Sequence, residues 1–248
     1  MERDDRPPVA TFYHGAELAG GAAVTLGEAV AHHARVKRLS ANDAVRLTNG
    51  IGTLADGRIV AVKRAALEIR LDGVRTVGRP PAIHLRAPVG DRDRMLWLAE
   101  KSAELGVTSW QSVHFHRSSS VSPRGEGAPF AAKIRARMVA ALEQSGGAWL
   151  PEMLREARID ELVQDDRALR IVLDVRGAPL LSLVPLGARR EVVVLVGPEG
   201  GIEDEELRLL LSHGWRAARL ATTTLRFETA GLAAVSVLRA AELEETHG

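Results

Sequence analysis

The sequence predicts an α/β fold: a largely parallel sheet with helices on both faces, preceded by a small β-rich module. Three observations predict it. Residues 192–196 (VVVLV) are apolar at every position, as a strand buried on both faces requires. From residue 82 onward, apolar runs of strand length alternate with segments of helical spacing, the order of a parallel sheet with crossover helices. Before residue 78 the punctuation is different. Asn49-Gly50 and Asp56-Gly57 separate short alternating runs, which is the signature of antiparallel hairpins. Two domains are expected, residues 1–78 and 79–248, and the chain of 248 residues is long enough for both.

In the front module, residues 11–13 (TFY) form an expected first strand. Residues 28–39 (EAVAHHARVKRL) have helical spacing, with Val30, Ala34 and Val36 on one side and Arg35, Lys37 and Arg38 around them. Residues 44–48, 51–55 and 58–62 alternate as strands, and 67–71 closes a small barrel or sheet. His32 and His33 are adjacent, so their side chains leave a helix about 100° apart, and no third ligand is near; an exposed RNA-facing helix is expected instead of a metal site. Gly78-Arg79-Pro80-Pro81 reads as a stiff linker.

The second domain opens with a strand at 82–86 and a helix at 91–105, whose inner face is Met95, Leu98, Ala99, Ser102 and Leu105, with Gly106 just past its end. A strand at 107–115 ends in His114, His116, Arg117 and Ser118 to Ser120; the histidines there either bind RNA or a metal, or the stretch is a polar loop capped by serines, the reading favoured here. Residues 122–129 read as a flexible Pro/Gly loop. The helix at 130–144 turns Ile134, Met138, Ala141 and Leu142 inward and Lys133, Arg135 and Arg137 outward. Glu143-Gln144-Ser145-Gly146-Gly147 is either helix-end punctuation or a way of bringing Glu143 and Gln144 to a site. Residues 159–163 look helical and 171–175 form a strand.

After the buried strand, Gly197-Pro198-Glu199-Gly200-Gly201 stops the ladder and lets another molecule approach the backbone. Residues 203–206 crowd acid into a first helical turn, where the macrodipole favours it. A helix to Gly214, a strand at 216–220, a loop at 221–227 and a helix from Glu228 follow. Ligands of open α/β sheets sit beyond the carboxyl ends of strands, where both loops lie. Neither the dinucleotide fingerprint nor the Lys-Ser/Thr of a P-loop is present, and the acidic turn repels phosphate, so a cationic or neutral nucleoside-like ligand fits better. The plainer reading is a tight turn and an Arg226–Glu228 surface pair.

Composition narrows the classes further. With no cysteine, disulfides, thiolate catalysis and cysteine metal sites are excluded. No apolar run reaches the roughly 20 residues of a membrane-spanning helix, and the charged start MERDDRPP does not read as a signal peptide, so a cytoplasmic protein is expected. The net charge is only +1 but is unevenly placed. Residues 1–140 carry 21 Lys and Arg against 14 Asp and Glu, and residues 141–248 carry 12 against 18. A basic front suggests a polyanion held there; helix surfaces charged unevenly by chance give the same count.

These motifs together resemble the RsmE family of bacterial ribosomal RNA methyltransferases. The resemblance rests on Val196 through Gly201 with its acidic sequel, and on Leu225-Arg226 with Glu228-Thr229-Ala230. It also rests on Lys101 to Val107 (KSAELGV), Glu143-Gln144-Ser145-Gly146 with Pro151-Glu152, and His33 through Leu39. It implies a PUA-like β-barrel domain and a SPOUT domain with a trefoil knot, binding S-adenosylmethionine and acting on N3 of a uridine in 16S rRNA. It implies cofactor-binding positions Leu173, Val175, Val196, Gly197, Pro198, Glu199, Gly200, Gly201, Leu220, Ala221, Thr223, Leu225, Arg226 and Thr229. The expected catalytic residues are Glu228, Glu199 and Arg226, with either glutamate as proton acceptor; an Arg226–Glu228 loop brace is the structural alternative. The expected RNA contacts are His33, Arg35, Lys37, Arg38, Arg117 and Arg135. The expected partners are 16S rRNA or the small ribosomal subunit and a second copy of the chain through the C-terminal domain, with no membrane and no metal. Ala221-Thr222-Thr223, Gly147 and Phe227 depart from the family's usual Gly-Pro-Arg, basic residue and Thr. Those departures keep two alternatives open: a non-catalytic assembly factor of the same fold, and a methyltransferase of ribose 2′-OH or transfer RNA.

Overall fold

The computed structural model describes residues 7–120, 123–164, 168–184 and 191–243; Ser122 of the expected loop lies outside them. Contacts divide the chain into two compact units. One runs to Arg79 and includes Val139–Leu150; the other comprises Pro80–Met138 and the chain from Pro151.

The first unit is a five-stranded sheet with one helix. Its strands are β1 (Ala10–Tyr13), β2 (Ala23–Leu26), β3 (Ala44–Thr48), β4 (Thr53–Val62) and β5 (Leu67–Thr76), in the order β1-β3-β4-β5-β2. Only β1 and β3 are parallel. Helix α1 (Glu28–Val36) covers the sheet with Ala31 and Ala34, whose small side chains admit Phe12, Leu47, Ile69 and Leu71 into one core. Its end is a Schellman turn: Leu39 N–H donates to Ala34 O and Arg38 N–H to Arg35 O, both at 2.9 Å. Arg38 occupies the left-handed position of that turn, at φ 57°, where glycine is usual.

The hairpin expected at Asp56-Gly57 does not exist. Strand β4 runs straight through both residues, with a register shift between them. Cross-strand charge holds Asp56 in place: Arg46 Nε donates to Oδ1 at 2.6 Å and Arg75 Nη1 to Oδ2 at 2.8 Å. Gly57 is there for space, since a Cβ would lie 2.4 Å from Arg70 O. Asn49-Gly50 does turn the chain. Asn49 Oδ1 accepts from the N–H groups of Ile51 and Thr53, and Gly50 and Gly52 take φ of 72° and 100°.

The Glu143 segment belongs to this unit. Tyr13 N–H donates to Glu143 Oε1 at 2.7 Å, Gly52 N–H to Ala148 O, and Trp149 Nε1 to Val77 O. Of the two readings of this segment, the architectural one fits. Gly147 lies against Leu142, where a Cβ would meet Cδ1 at 2.8 Å.

The second unit is a parallel sheet. Its elements are β6 (Ile83–Pro88), α2 (Arg92–Glu104), β7 (Ser109–His114), α3 (Ala128–Ser145, which crosses into the first unit), β8 (Glu152–Met153), β9 (Ala157–Arg158), β10 (Leu169–Pro179), α4 (Leu180–Leu183), β11 (Val192–Val196), α5 (Asp204–Ser212), β12 (Arg216–Arg219) and α6 (Phe227–Leu243). The order is β12-β10-β11-β6-β7-β8, with β9 also on β7, and every pairing is parallel. The expected helix at 159–163 is a 3-10 helix, Ile159–Gln164.

All five residues of β11 are buried, as their composition requires. Val193 and Leu195 share a core with Val113, Leu207, Leu210 and Trp215 on the α5 face. On the α6 side, Gly231 lies between β11 and α2: a Cβ there would be 3.1 Å from both Leu98 methyls and 3.5 Å from Val196 Cγ2. Arg239 fastens the far end of α6, donating to Pro81 O at 2.6 Å and Leu105 O at 3.0 Å. Among the described residues no helix is long and apolar enough to cross a membrane.

Two predictions test this arrangement. Gly57→Ala should cost about 1–3 kcal/mol, because the methyl has only backbone to displace; urea unfolding should show a lower midpoint with an unchanged slope. Burial holds the Glu143 carboxyl above its ordinary range, against the opposing Tyr13 N–H bond and the charges of His33 and Lys37. A raised folded value means stability is greatest below the unfolded value, about pH 4, and falls as pH rises through the folded one. Glu143→Gln, which keeps an acceptor for Tyr13, should remove that fall in melting curves taken from acid to neutral pH.

Candidate active site

The irregular stretch of β10 after Leu173, the loop that leaves β11 and the end of β12 with its loop together line a cavity of about 300 Å³. One wall is Leu173 to Arg176, the second is Val196 to Glu199 with Gly201 and Ile202, and the third is Ala218 to Ala221 with Thr223 to Leu225. Phe227 and Ala230 of α6 close the base. The lining is mainly apolar side chain and backbone, which suits a nucleoside-sized ligand held by backbone N–H and C=O groups.

The second wall depends on its glycines. A Cβ on Gly197 would lie 2.6 Å from Ile202 Cγ1. Gly201 takes φ 75° and donates its N–H to Pro198 O at 2.8 Å, which closes the turn. The acidic follow-up is a helix cap: Glu203 precedes α5, and its N–H donates to Glu206 Oε2 at 3.1 Å.

Charges at the first wall are paired. Arg176 donates from Nε and Nη2 to the two oxygens of Asp174, at 2.9 and 3.0 Å, and from Nη1 to Asp204 at 2.8 Å. The Asp174 side chain is only 10% exposed. The Arg176 hydrogen bonds hold its carboxyl below the usual aspartate range despite that burial. Arg219 Nη1 reaches Gly177 O at 2.7 Å. Gly177 itself runs so close to β12 that a Cβ would lie 2.4 Å from the Ala217 carbonyl carbon.

A second constellation lies around Arg94, which is in the first turn of α2. Its guanidinium lies 3.9 Å from Glu199 Oε1 and 3.7 Å from Glu228 Oε1. Glu199 Oε1 also accepts the N–H of Asp91 at 3.3 Å. The other oxygen of Glu228, Oε2, is buried and has no hydrogen-bond partner among the described residues. A buried acceptor left open costs about 1–3 kcal/mol unless something donates to it.

The structure therefore places the expected residues unevenly. Leu173, Val175, Val196, Gly197, Pro198, Glu199, Gly201, Leu220, Ala221, Thr223 and Leu225 line the cavity; Gly200, Arg226, Glu228 and Thr229 do not. The Arg226–Glu228 brace is absent. Glu228 faces Arg94, and Arg226 is exposed, its backbone carbonyl accepting from Ala230. Ala221 has a negative φ, so replacing a glycine there brings no left-handed strain. Sequence reasoning missed Asp174, Arg176 and Arg94. Asp174 had a signal, a lone acid closing an apolar strand run; Arg94 had none, because only tertiary contact brings it to the two glutamates.

Among the expected RNA contacts, His33, Arg35, Lys37 and Arg38 are exposed on or just after α1. The Arg35 head group is engaged locally, with Nη1 donating to Lys63 O and Arg64 O. Arg117 lies on the glycine loop and donates to Gly200 O at 2.6 Å. Arg135 is exposed on α3. No group of three or more His, Asp or Glu among the described residues is placed to hold a metal ion.

Gly197→Ala should push Ile202 into the cavity and cost about 1–3 kcal/mol. Calorimetry should then give weaker ligand binding than in the wild type, with the melting temperature lowered alongside.

Comparison with known proteins places this geometry. The RNA methyltransferase domain family matches residues 78–239, and the RNA methyltransferase PUA domain family matches residues 26–72. A ribosomal RNA small subunit methyltransferase E from Mycobacterium bovis is 28% identical over 232 residues, covering 88% of this chain and 87% of its own. The structure of a Neisseria gonorrhoeae enzyme of the same name, bound to S-adenosyl methionine, superposes with a TM-score of 0.82 at 26% identity, covering 93% of this chain and 97% of its own. A Legionella pneumophila structure with bound cofactor SAM gives 0.82 at 29% identity, with coverages of 93% and 97%. The cavity, the parallel sheet and the β-rich front unit thus have one explanation: the chain belongs to the RNA methyltransferase family.

Proposed function

We propose that this chain methylates N3 of a uridine in 16S ribosomal RNA, with S-adenosylmethionine as methyl donor. The observation that carries the reading is the cavity lined by β10, β12 and the loop after β11, with Phe227 and Ala230 of α6 in its lining. The residues present fit the cofactor. Leu173, Val196, Leu220 and Leu225 supply apolar walls for an adenosine, and the loop backbones supply donors and acceptors. The charged groups of the lining, Asp174 and Glu199 against Arg176 and Arg219, balance one another. Solved relatives with S-adenosyl methionine bound support the same assignment.

When bound, the cofactor supplies an activated methyl on a sulfonium. The protein must align that methyl with a ring nitrogen and remove a proton. Alignment comes from the rigid strand ends and the Gly197–Gly201 turn, and holding both reactants in place contributes up to about 7–11 kcal/mol in well-oriented systems. Uridine N3 carries hydrogen at neutral pH, so its lone pair must be freed as the new bond forms. Glu228 Oε2 is the acceptor for that proton in this reading: the N3–H bond breaks, the carboxylate becomes a carboxylic acid, and the proton then passes to solvent. Glu199 faces the cavity and offsets positive charge there. Arg226, exposed just before α6, holds RNA phosphate or a uracil oxygen in this reading.

The exposed basic edge of α1, with His33, Lys37 and Arg38, is the proposed RNA track of the front domain. The remaining family properties belong to the same proposal. They are a division near residues 78–79, a trefoil-knotted path through the cofactor loops, and a homodimer that uses the half-buried Leu232 and Val237 of α6. So does a cytoplasmic site of action, where ribosomal RNA is available.

The test is nucleoside mass mapping of 16S rRNA after incubation of small subunits with the protein and S-adenosylmethionine. One N3-methyluridine should appear; a 2′-O-methyl product, or none, would refute the assignment. Glu228→Gln should slow single turnover about 10²-fold with cofactor affinity retained.

A further inference from the structure

Helix α2 begins against the macrodipole's preference. Asp91 caps it properly, its Oδ1 accepting the N–H groups of Asp93 and Arg94 at 3.1 and 3.0 Å. The first turn then carries Arg92 and Arg94 with only Asp93 between. Cations in a first turn are disfavoured by a few tenths of a kcal/mol or more. Arg92 stacks on Phe130, 5.4 Å from the ring centroid. Arg94 has a different neighbourhood. Two carboxylates, one from the loop after β11 and one from the first turn of α6, approach it at 3.9 and 3.7 Å. Both distances exceed a hydrogen bond, so the contact is ionic and the Arg94 N–H groups are not committed to either glutamate. Arg94 is thus the cation that the two carboxylates share, and Glu199 Oε1 accepts in addition the Asp91 N–H.

The asymmetry at Glu228 gives the arrangement a direction. Oε1 faces Arg94, while Oε2 is buried and has no partner among the described residues. A carboxylate fixed through one oxygen presents the other at a fixed place. Glu199 shares the same guanidinium and also borders the cavity, so the position of the open oxygen is coupled to the loop that forms the cavity's second wall.

We propose that Arg94 is a positioning residue for methyl transfer: it holds Glu228 by Oε1 so that the buried, unpartnered Oε2 keeps the place from which it takes the N–H proton of the target base, and it ties that oxygen to the Glu199 loop. This inference rests on the reading of Glu228 as proton acceptor. Arg94 touches neither the base nor the methyl donor in this role. It acts through the two glutamates, and its loss affects proton removal and leaves cofactor capture intact.

The experiment uses the full chain with small ribosomal subunits as substrate and compares wild type, Arg94→Gln, Arg94→Met, Arg94→Lys and Glu228→Gln. Single-turnover rates are measured, with S-adenosylmethionine affinity by calorimetry. Arg94→Gln and Arg94→Met should each lower the rate about 10²-fold, the usual cost of a misplaced reacting group. Cofactor affinity should stay within about threefold, so that the loss falls on the rate of transfer and not on binding. Arg94→Lys, which keeps the charge without the planar fork, should recover at least about tenfold of the loss. Two neutral variants are read so that a folding failure in one leaves the other informative. A slow Glu228→Gln beside a neutral Arg94 variant with wild-type rate would sink the inference alone. A fall in cofactor affinity that matches the fall in rate would also overturn it, because Arg94 would then serve the cavity. A Glu228→Gln enzyme at full rate would remove the proton-acceptor reading and this inference with it.

Discussion

At Gly177 and Gly197 the backbone has no room for a side chain, and the cavity depends on that crowding. The bulk of a Cβ at Gly177 would strike the Ala217 peptide, and one at Gly197 would strike Ile202. Strands β10 and β12 can therefore run close together at their carboxyl ends, and the loop after β11 can fold back over its own turn. Three loops then meet at one place. Gly231 applies the same principle on the opposite side of β11, where it lets α6 lie against Leu98 and Val196. A parallel sheet supplies the strand ends; small residues at these contacts let the loops converge into a binding site.

Charge is then distributed by a consistent rule. In the second unit two guanidiniums sit with carboxylates of low exposure: Arg176 with Asp174, and Arg94 with Glu199 and Glu228. The two cases differ in closeness. Arg176 makes direct, nearly parallel hydrogen bonds, which fix a wall of the cavity. Arg94 stands off at ionic distance and leaves Oε2 of Glu228 unspent. A fully satisfied pair braces structure, whereas a partly satisfied one keeps an acceptor available for chemistry. The acidic residues after the glycine loop serve a third purpose, because Glu203 and Glu206 cap α5 and also take contacts from His116.

The front unit has its own economy of space. Its sheet bends at Asp56-Gly57 without turning, because Arg46 and Arg75 pin the aspartate from the two neighbouring strands and Gly57 admits the Arg70 carbonyl. The segment from Val139 to Leu150 folds with this unit by donating to and accepting from β1 and the Asn49–Gly52 turn. Within the unit, that leaves the outer edge of α1 as exposed basic surface, with Arg38 held in a left-handed conformation at its end.

Periodicity and composition alone determined much of this protein. The apolar run at 192–196 had to be a buried strand, since no face of it could meet water. Gly197 to Gly201 had to interrupt the ladder, and the acid-rich 203–206 had to start a helix. The alternation of strand and helix fixed a parallel sheet, and the absence of cysteine removed thiol chemistry. Other features were decided only in three dimensions. Asp56-Gly57 has the local chemistry of a hairpin turn, yet cross-strand ion pairs and a close carbonyl make it a bulge; local propensity lost to tertiary contact. Glu143 could have belonged to a site, and hydrogen bonding to Tyr13 made it architecture. Arg226 and Glu228 are close in sequence and were read as a pair, but the packing of α2 against α6 gave Glu228 to Arg94 instead. Spacing along a chain reports neighbours on one element. Pairing between elements depends on which helices and strands pack together, and no short-range pattern carries that information.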